Sequence, residues 1–256
     1  METTKKALLL IDRGSREPEV KQELNGICNF VRNKTGYEYV NYCFLEVVPP
    51  FIEEGINLCV RNGITTITIV PYFLYPGLKL KDAVKQSARI GLRKGLKVVI
   101  GKPLSYHRTM SELINERIAE QKKDRGLSYR DKECDILIIG HGSSDRSARD
   151  ALTHNANVLR PKYRNLTFCF LELEKPNIEE GIRMALQAKP CVVIIMPYFL
   201  HRGSHIKCDV VKEVRMALEK YNFKNAFITR HLGLDEKLVD LVLERAREVE
   251  MRAGVS

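Results

Sequence analysis

His141, Glu172 and His205 are the residues best equipped to hold a metal or move a proton. Intervals of 31 and 33 residues separate them, each about the length of one strand-helix unit. Two imidazoles and a carboxylate suit a first-row divalent cation, and neutral imidazole accepts a proton near pH 7. His141 sits in Gly140-His141-Gly142-Ser143, whose small residues allow a tight turn and close approach of a ligand to the backbone. Such a turn can also cradle a phosphate or simply cap a helix. No His-Glu-x-x-His segment is present. Five of the six histidines follow residue 140, and only His107 precedes it. His154 falls within a helical stretch and reads as a surface residue. His201 and His231 follow strand ends and either line the pocket or belong to ordinary loops.

The elements that must position these residues are written twice. Phe44-Leu45-Glu46, Pro50 and Ile52-Glu53-Glu54-Gly55-Ile56 return 126 residues later as Phe170-Leu171-Glu172, Pro176 and Ile178-Glu179-Glu180-Gly181-Ile182. Pro71-Tyr72-Phe73-Leu74 returns at the same offset as Pro197-Tyr198-Phe199-Leu200. A repeat of this length is one small domain, not a solenoid unit. The expected boundaries are 1–125 and 133–256. The copies differ where chemistry would sit: Asp12-Arg13-Gly14-Ser15 stands against Gly140-His141-Gly142-Ser143, and Pro76-Gly77-Leu78-Lys79 against Gly203-Ser204-His205-Ile206.

Within each copy, short runs rich in Ile, Val and Phe alternate with amphipathic stretches. Strands are predicted over 7–11, 39–45, 65–70 and 97–100, and over 135–139, 166–171, 191–196 and 226–229. Helices are predicted over 145–159, 177–188, 206–221 and 235–251. The fold class is therefore α/β: two homologous domains, each a four-stranded parallel sheet flanked by helices, with right-handed crossovers. Ligands of such sheets collect at the carboxyl ends of the strands. His141, Glu172 and His205 each follow a strand and open onto one such edge.

An apolar fraction of 44% fits a globular core. The apolar run from Ala7 stops at Asp12, too short for a signal peptide or a membrane span, so the expected location is cytoplasmic and no membrane partner is expected. Seven cysteines without a Cys-x-x-Cys pair argue against a disulfide framework and a structural zinc site. Cys43 and Cys169, repeat mates, read as buried small hydrophobes. The net charge of +10 points to an acidic partner. Nucleic acid is disfavoured, since no dense basic run interleaved with aromatics occurs. The basic cluster from Lys122 to Lys132 reads as a solvated linker, which leaves a small polyanion.

Gly140-His141-Gly142-Ser143, Phe170-Leu171-Glu172, Pro197-Tyr198-Phe199-Leu200 and Ser204-His205-Ile206-Lys207-Cys208-Asp209 together, in this order and spacing, resemble the sirohydrochlorin chelatases of the CbiX/SirB type, in their long two-domain form. These are related in fold to class II ferrochelatases. The resemblance implies insertion of Co²⁺ or Fe²⁺ into sirohydrochlorin, a polycarboxylate tetrapyrrole of siroheme or cobalamin biosynthesis, with no cofactor beyond the metal substrate. His141, His205 and Glu172 would bind the ion and take up pyrrole protons. Ser143 and the cations Arg146, Arg202, Lys207 and Arg230 would contact the substrate.

Long members usually carry the histidine pair in the N-terminal half. Here that half offers Arg13 and, depending on a one-residue gap, Leu78 or Lys79. Arginine stays protonated and is neither ligand nor base. The first half is therefore expected to be catalytically degenerate, closing over the macrocycle with Arg13, Lys79 and Lys81 on its carboxylates. One chain then supplies both lobes, which predicts a monomer. Two other readings stand: a non-enzymatic carrier of metal or tetrapyrrole, and a hydrolase using Ser143 or a phosphorylated His141. The second lacks the Gly-x-Ser-x-Gly elbow.

Overall fold

Strands buried on both faces organise each half. In the computed structural model, which describes residues 5–255 except the side chain of His205, Ala7–Ile11 and Ile136–Ile139 are almost wholly inaccessible. That is the pattern of central strands in a parallel sheet. The first half runs β1 (Lys6–Asp12), α1 (Pro18–Lys34), β2 (Tyr39–Phe44), α2 (Ile52–Arg61), β3 (Thr66–Pro71), α3 (Leu78–Arg93), β4 (Lys97–Ile100) and α4 (Arg108–Asp124). The second runs β5 (Cys134–Gly140), α5 (Arg146–Leu159), β6 (Asn165–Phe170), α6 (Ile178–Gln187), β7 (Val192–Pro197), α7 (Val211–Lys220), β8 (Ala226–Ile228) and α8 (Glu236–Arg252).

Both sheets are parallel, in the orders β2-β1-β3-β4 and β6-β5-β7-β8. The chain leaves the second central strand, β5, for β6 on one side and returns to β7 on the other. Beyond the carboxyl ends of β5 and β7 therefore lies the switch point at which open α/β sheets bind ligands. One layer of the second core joins Leu137, Ile139, Cys169, Ile182 and Ile195 to Val210 and Val214. Cys43 and Cys169 are fully buried, as expected of small hydrophobes, and burial pushes both thiols up. A Cβ on Gly55 or Gly181 would lie 2.7 or 2.5 Å from the Cβ of these cysteines, so the repeated glycine is what lets helix meet strand.

The expected helix over 206–221 divides in two. His205–Val210 winds as a π-helix before α7 begins. Ile206, Val210 and Val214 recur every four residues, and all three are buried in the core of the second half. In the first half the inward positions Ala83, Ser87 and Ile90 correspond to Val210, Val214 and Ala217, 127 residues on. The partner of Ile206 is then the exposed Lys79, and α3 stays α-helical.

The compact units do not follow the sequence repeat. One compact unit is Met1–Ser105 with Leu234–Ser256, and the other is Tyr106–Gly233. The repeats exchange their last helices: α4 packs on α5 and β7, and α8 packs on α1, β3 and β4. Amphipathic periodicity marks a face to be covered, without saying which of two homologous sheets covers it.

A buried arginine fixes each exchanged helix within its unit. The Arg117 side chain is fully enclosed; Nη2 donates to Leu232 O at 2.7 Å, Nε to Leu232 O at 3.1 Å, and Nη1 reaches Glu120 at 2.9 Å. Its repeat mate Arg245 donates from Nε to Pro103 O at 3.1 Å and from Nη2 to Ser105 O at 3.3 Å, with Glu248 beside Nη1. Each guanidinium thus satisfies carbonyls of the segment that follows the fourth strand of its unit. Loss of such a donor leaves buried carbonyls and a carboxylate without it. Arg117→Ala and Arg245→Ala should each destabilise their own unit by about 3 kcal/mol. Urea unfolding followed by probes in each unit checks this, and losses under about 1 kcal/mol would remove the arginines as helix anchors.

Candidate functional site

Two loops at the carboxyl ends of β5 and β6 form the centre of the site. Glu172 N donates to His141 O at 3.0 Å, and the chain at Gly142 runs so close to the next loop that a Cβ there would lie 1.8 Å from Glu172 O. Gly142 has φ +92°, so only glycine meets both the approach and the conformation. Beyond Glu172 the backbone turns sharply. Glu174 N donates to Glu172 O at 2.8 Å across Leu173, whose φ is +64°. This is the pattern of the positive-φ γ-turn, a rare and strained form found where the surroundings over-determine it.

The result brings His141 and Glu172 together, with Nε2 3.3 Å from Oε1. The ring packs edge-on at 6.3 Å from Phe199, at the end of β7. Nδ1 lies 3.1 Å from Gly142 O. In the tautomer that donates this bond from Nδ1, Nε2 turns its lone pair toward the carboxylate. Two acceptors facing one another at this distance need a cation between them, either a proton or a metal. Metal bonds of about 2.1 Å to each would meet at a roughly tetrahedral angle.

The other expected residues fall around this pair. His205 opens the π-helix after β7, and its side chain lies outside the described residues. Among the described residues no three His, Cys, Asp or Glu side chains converge as a metal cage. Ser143 Oγ accepts Asp145 N–H at 3.0 Å, shaping the entry to α5. Arg146 and Arg202 are exposed and Lys207 is half-buried. Arg230, by contrast, is clamped by both oxygens of Glu120, at 2.8 and 3.0 Å. His201 and His231 are half-buried, and His154 lies on α5, its ring 5.7 Å from that of Tyr106. Glu174 escaped the sequence reading. Its carboxylate, only 12% exposed, accepts Ser143 N–H at 2.9 Å. The comparison of copies held the signal, since Glu174 stands against Val48.

The first half repeats the backbone and changes the occupant. Glu46 N donates to Arg13 O at 3.0 Å, Val48 N to Glu46 O at 2.9 Å, and Val47 has φ +75°. A Cβ on Gly14 would lie 2.2 Å from Glu46 O. Glu46, however, is held by two cations: Arg13 Nε at 2.9 Å and Lys79 Nζ at 2.5 Å. Helix register makes Leu78 the partner of His205, yet it is the Lys79 ammonium that reaches the carboxylate. The hydrogen bond from Lys79 holds the Glu46 carboxyl below its ordinary range; burial opposes this and Arg13 adds to it.

Comparison with known proteins agrees with the duplication. The CbiX family model matches twice, over residues 7–121 and 135–249, following the sequence repeat and not the compact units. The chain is 28% identical over 249 residues to the sirohydrochlorin cobaltochelatase of Priestia megaterium, covering 95% of this chain and 79% of that one. It is 27% identical over 248 residues to the sirohydrochlorin ferrochelatase of Bacillus subtilis, covering 95% and 92%. The solved structure of SirB from Bacillus subtilis with Fe³⁺ superposes with a TM-score of 0.81 at 25% identity, over 98% of this chain and 97% of that one.

The charge lock on Glu46 has a pH signature. A carboxyl whose pKa is depressed on folding stabilises the fold above its unfolded value, near 4.3, and the contribution disappears as pH falls through the folded value. Glu46→Gln should therefore be less stable than the parent at pH 7, by no more than about 1 kcal/mol for so exposed a cluster. The difference should close below pH 4 or so and shrink in high salt. Denaturation at several pH values measures it; a gap that persists in acid would mean that Glu46 acts through packing instead.

Proposed function

The chain belongs to the CbiX family, and from that premise we propose that it is a sirohydrochlorin chelatase whose active site lies in its second half. It inserts Co²⁺ or Fe²⁺ into a polycarboxylate tetrapyrrole of siroheme or cobalamin biosynthesis, and needs no cofactor beyond the metal substrate. The observation that carries this placement is the imidazole–carboxylate pair, with His141 Nε2 and Glu172 Oε1 3.3 Å apart at the carboxyl edge of the second sheet.

The reaction exchanges two pyrrole N–H protons for one divalent ion. His141 and Glu172 hold the incoming metal, and His205, at the first turn after β7, completes the set from the other side of the switch point. As the ion passes to the macrocycle nitrogens, these groups regain lone pairs and can take the protons that leave. A single donor set thus first holds the cation and then accepts the charge that replaces it. Partial enclosure of the imidazole limits competition from water, while the exposure of Glu172 leaves the metal a path in and the proton a path out.

The substrate's carboxylates meet a protein of net charge +10. Arg146, Arg202 and Lys207 are the side chains we assign to them. Arg230, already bidentate on Glu120, is a poorer candidate. In the first half two cations share one carboxylate, so Arg13 and Lys79 leave that cluster with an excess positive charge. Arg13 then serves substrate binding by attraction, not chemistry, and that half is catalytically silent. We take the working form to be a cytoplasmic monomer; among the described residues no helix is long and apolar enough to cross a membrane.

Anaerobic insertion of Co²⁺ or Fe²⁺ into sirohydrochlorin, followed by absorbance, tests the assignment. His141→Ala and His205→Ala should each lower kcat by on the order of 100-fold or more, while Arg13→Ala should keep kcat near the parent and raise only KM for the tetrapyrrole. Arg13→Ala as damaging as His141→Ala would place chemistry in the first half. Spectral binding of the tetrapyrrole without acceleration would make the protein a carrier.

A further inference from the structure

The turn that carries His141 is held by different means in the two halves. In the first, Asp12 Oδ1 accepts Gly14 N–H at 2.8 Å, so the turn is fastened from within. In the second, Gly140 occupies the place of Asp12 and has no side chain to offer. The amide of Ser143, one residue further on, is instead taken by Glu174 Oε1 at 2.9 Å. Glu174 belongs to the neighbouring loop, on the γ-turn that also carries Glu172.

Glu174 is itself fixed. Arg149 Nη1 lies 3.6 Å from its other oxygen and donates to Lys175 O at 3.3 Å, while the guanidinium sits 5.8 and 5.5 Å above the rings of Phe168 and Phe170. In the first half Lys21 and Val48 stand at these positions, and no carboxylate is present to make the same bond. The second half has therefore replaced a local fastening by one that ties the His141 turn to the Glu172 turn.

Resting on the chelatase reading above, we propose that Glu174 is a positioning residue: its charge-assisted bond to Ser143 N–H sets the separation of His141 Nε2 and Glu172 Oε1, and Arg149 holds Glu174 in place. Supporting groups of this kind tune metal sites without touching the metal. The carboxylate acts through an amide, so a neutral acceptor of the same shape does nearly the same work.

Glu174→Val and Glu174→Gln separate this from other roles. Valine is what the first half carries, so the fold accommodates it. Glu174→Val should weaken Co²⁺ binding to the tetrapyrrole-free protein by about 10- to 100-fold, read from visible absorption. It should lower kcat for insertion and leave KM for the tetrapyrrole unchanged. Glu174→Gln, which keeps the acceptor, should stay near the parent in both. Unaltered Co²⁺ affinity in Glu174→Val would overturn the proposal, as would a Glu174→Gln equally damaged, since that would make the carboxylate a direct ligand. A His141→Ala control tells the two readings apart: if it inserts metal normally, the chelatase site itself is misplaced.

Discussion

A single close approach, the backbone of Gly142 against the carbonyl of Glu172, determines where everything else in the site can be. The approach leaves no room for a Cβ and demands a positive φ. It also brings Glu172 N–H onto His141 O, which with Leu171 N–H on Gly140 O carries the pairing of β5 and β6 two bonds past the end of β6. From there the γ-turn at Leu173 stops the loop from running on and keeps Glu172 beside the histidine. Phe199, two residues past β7, packs edge-on against the His141 ring. The arrangement is strained locally and depends on the buried strands beneath it to persist.

Because the first half has the same approach at Gly14 and Glu46, the molecule separates what the fold builds from what the side chains decide. In both halves the backbone delivers a carboxylate next to the residue preceding the glycine. In one half that residue is an imidazole, which can give up its proton and offer a lone pair. In the other it is a guanidinium, which cannot. Arg13 and Lys79 supply positive charge from within the chain, whereas the ion pair of Glu172 among the described residues is with His141. A carboxylate already neutralised in this way, with its pKa pushed down, has little to offer a divalent ion.

The repeat, the parallel sheets and the convergence of His141 and Glu172 on one sheet edge were legible in the sequence because each rests on local pattern: buried runs make parallel strands, and strands of that kind bind at their carboxyl ends. The exchange of α4 and α8 was not, since either of two homologous sheets can cover the same amphipathic face. Nor was the π-helix at His205–Val210, because the four-residue apolar spacing there is also that of the α-helical Met110, Ile114 and Ile118 in α4. The partner of His205 was ambiguous for a related reason: Leu78 matches it in register, while the long side chain of Lys79 reaches the carboxylate from the next position. Arg230 looked available from its position near a strand end, and its pairing with Glu120 required the exchanged helix to be placed first. Glu174 could have been found by comparing the copies at Val48, because a carboxylate that stands where the other copy has an apolar residue rarely serves packing.

We infer that one of two nearly identical backbones binds the metal substrate and that the other has closed its site with internal cations. Anomalous scattering from crystals of the full chain equilibrated with Co²⁺ locates the ion directly. A cobalt peak is expected within about 2.3 Å of His141 Nε2 and of a Glu172 oxygen, with no peak at Glu46. Cobalt at Glu46 with Arg13 and Lys79 displaced, or its absence from His141, would contradict it.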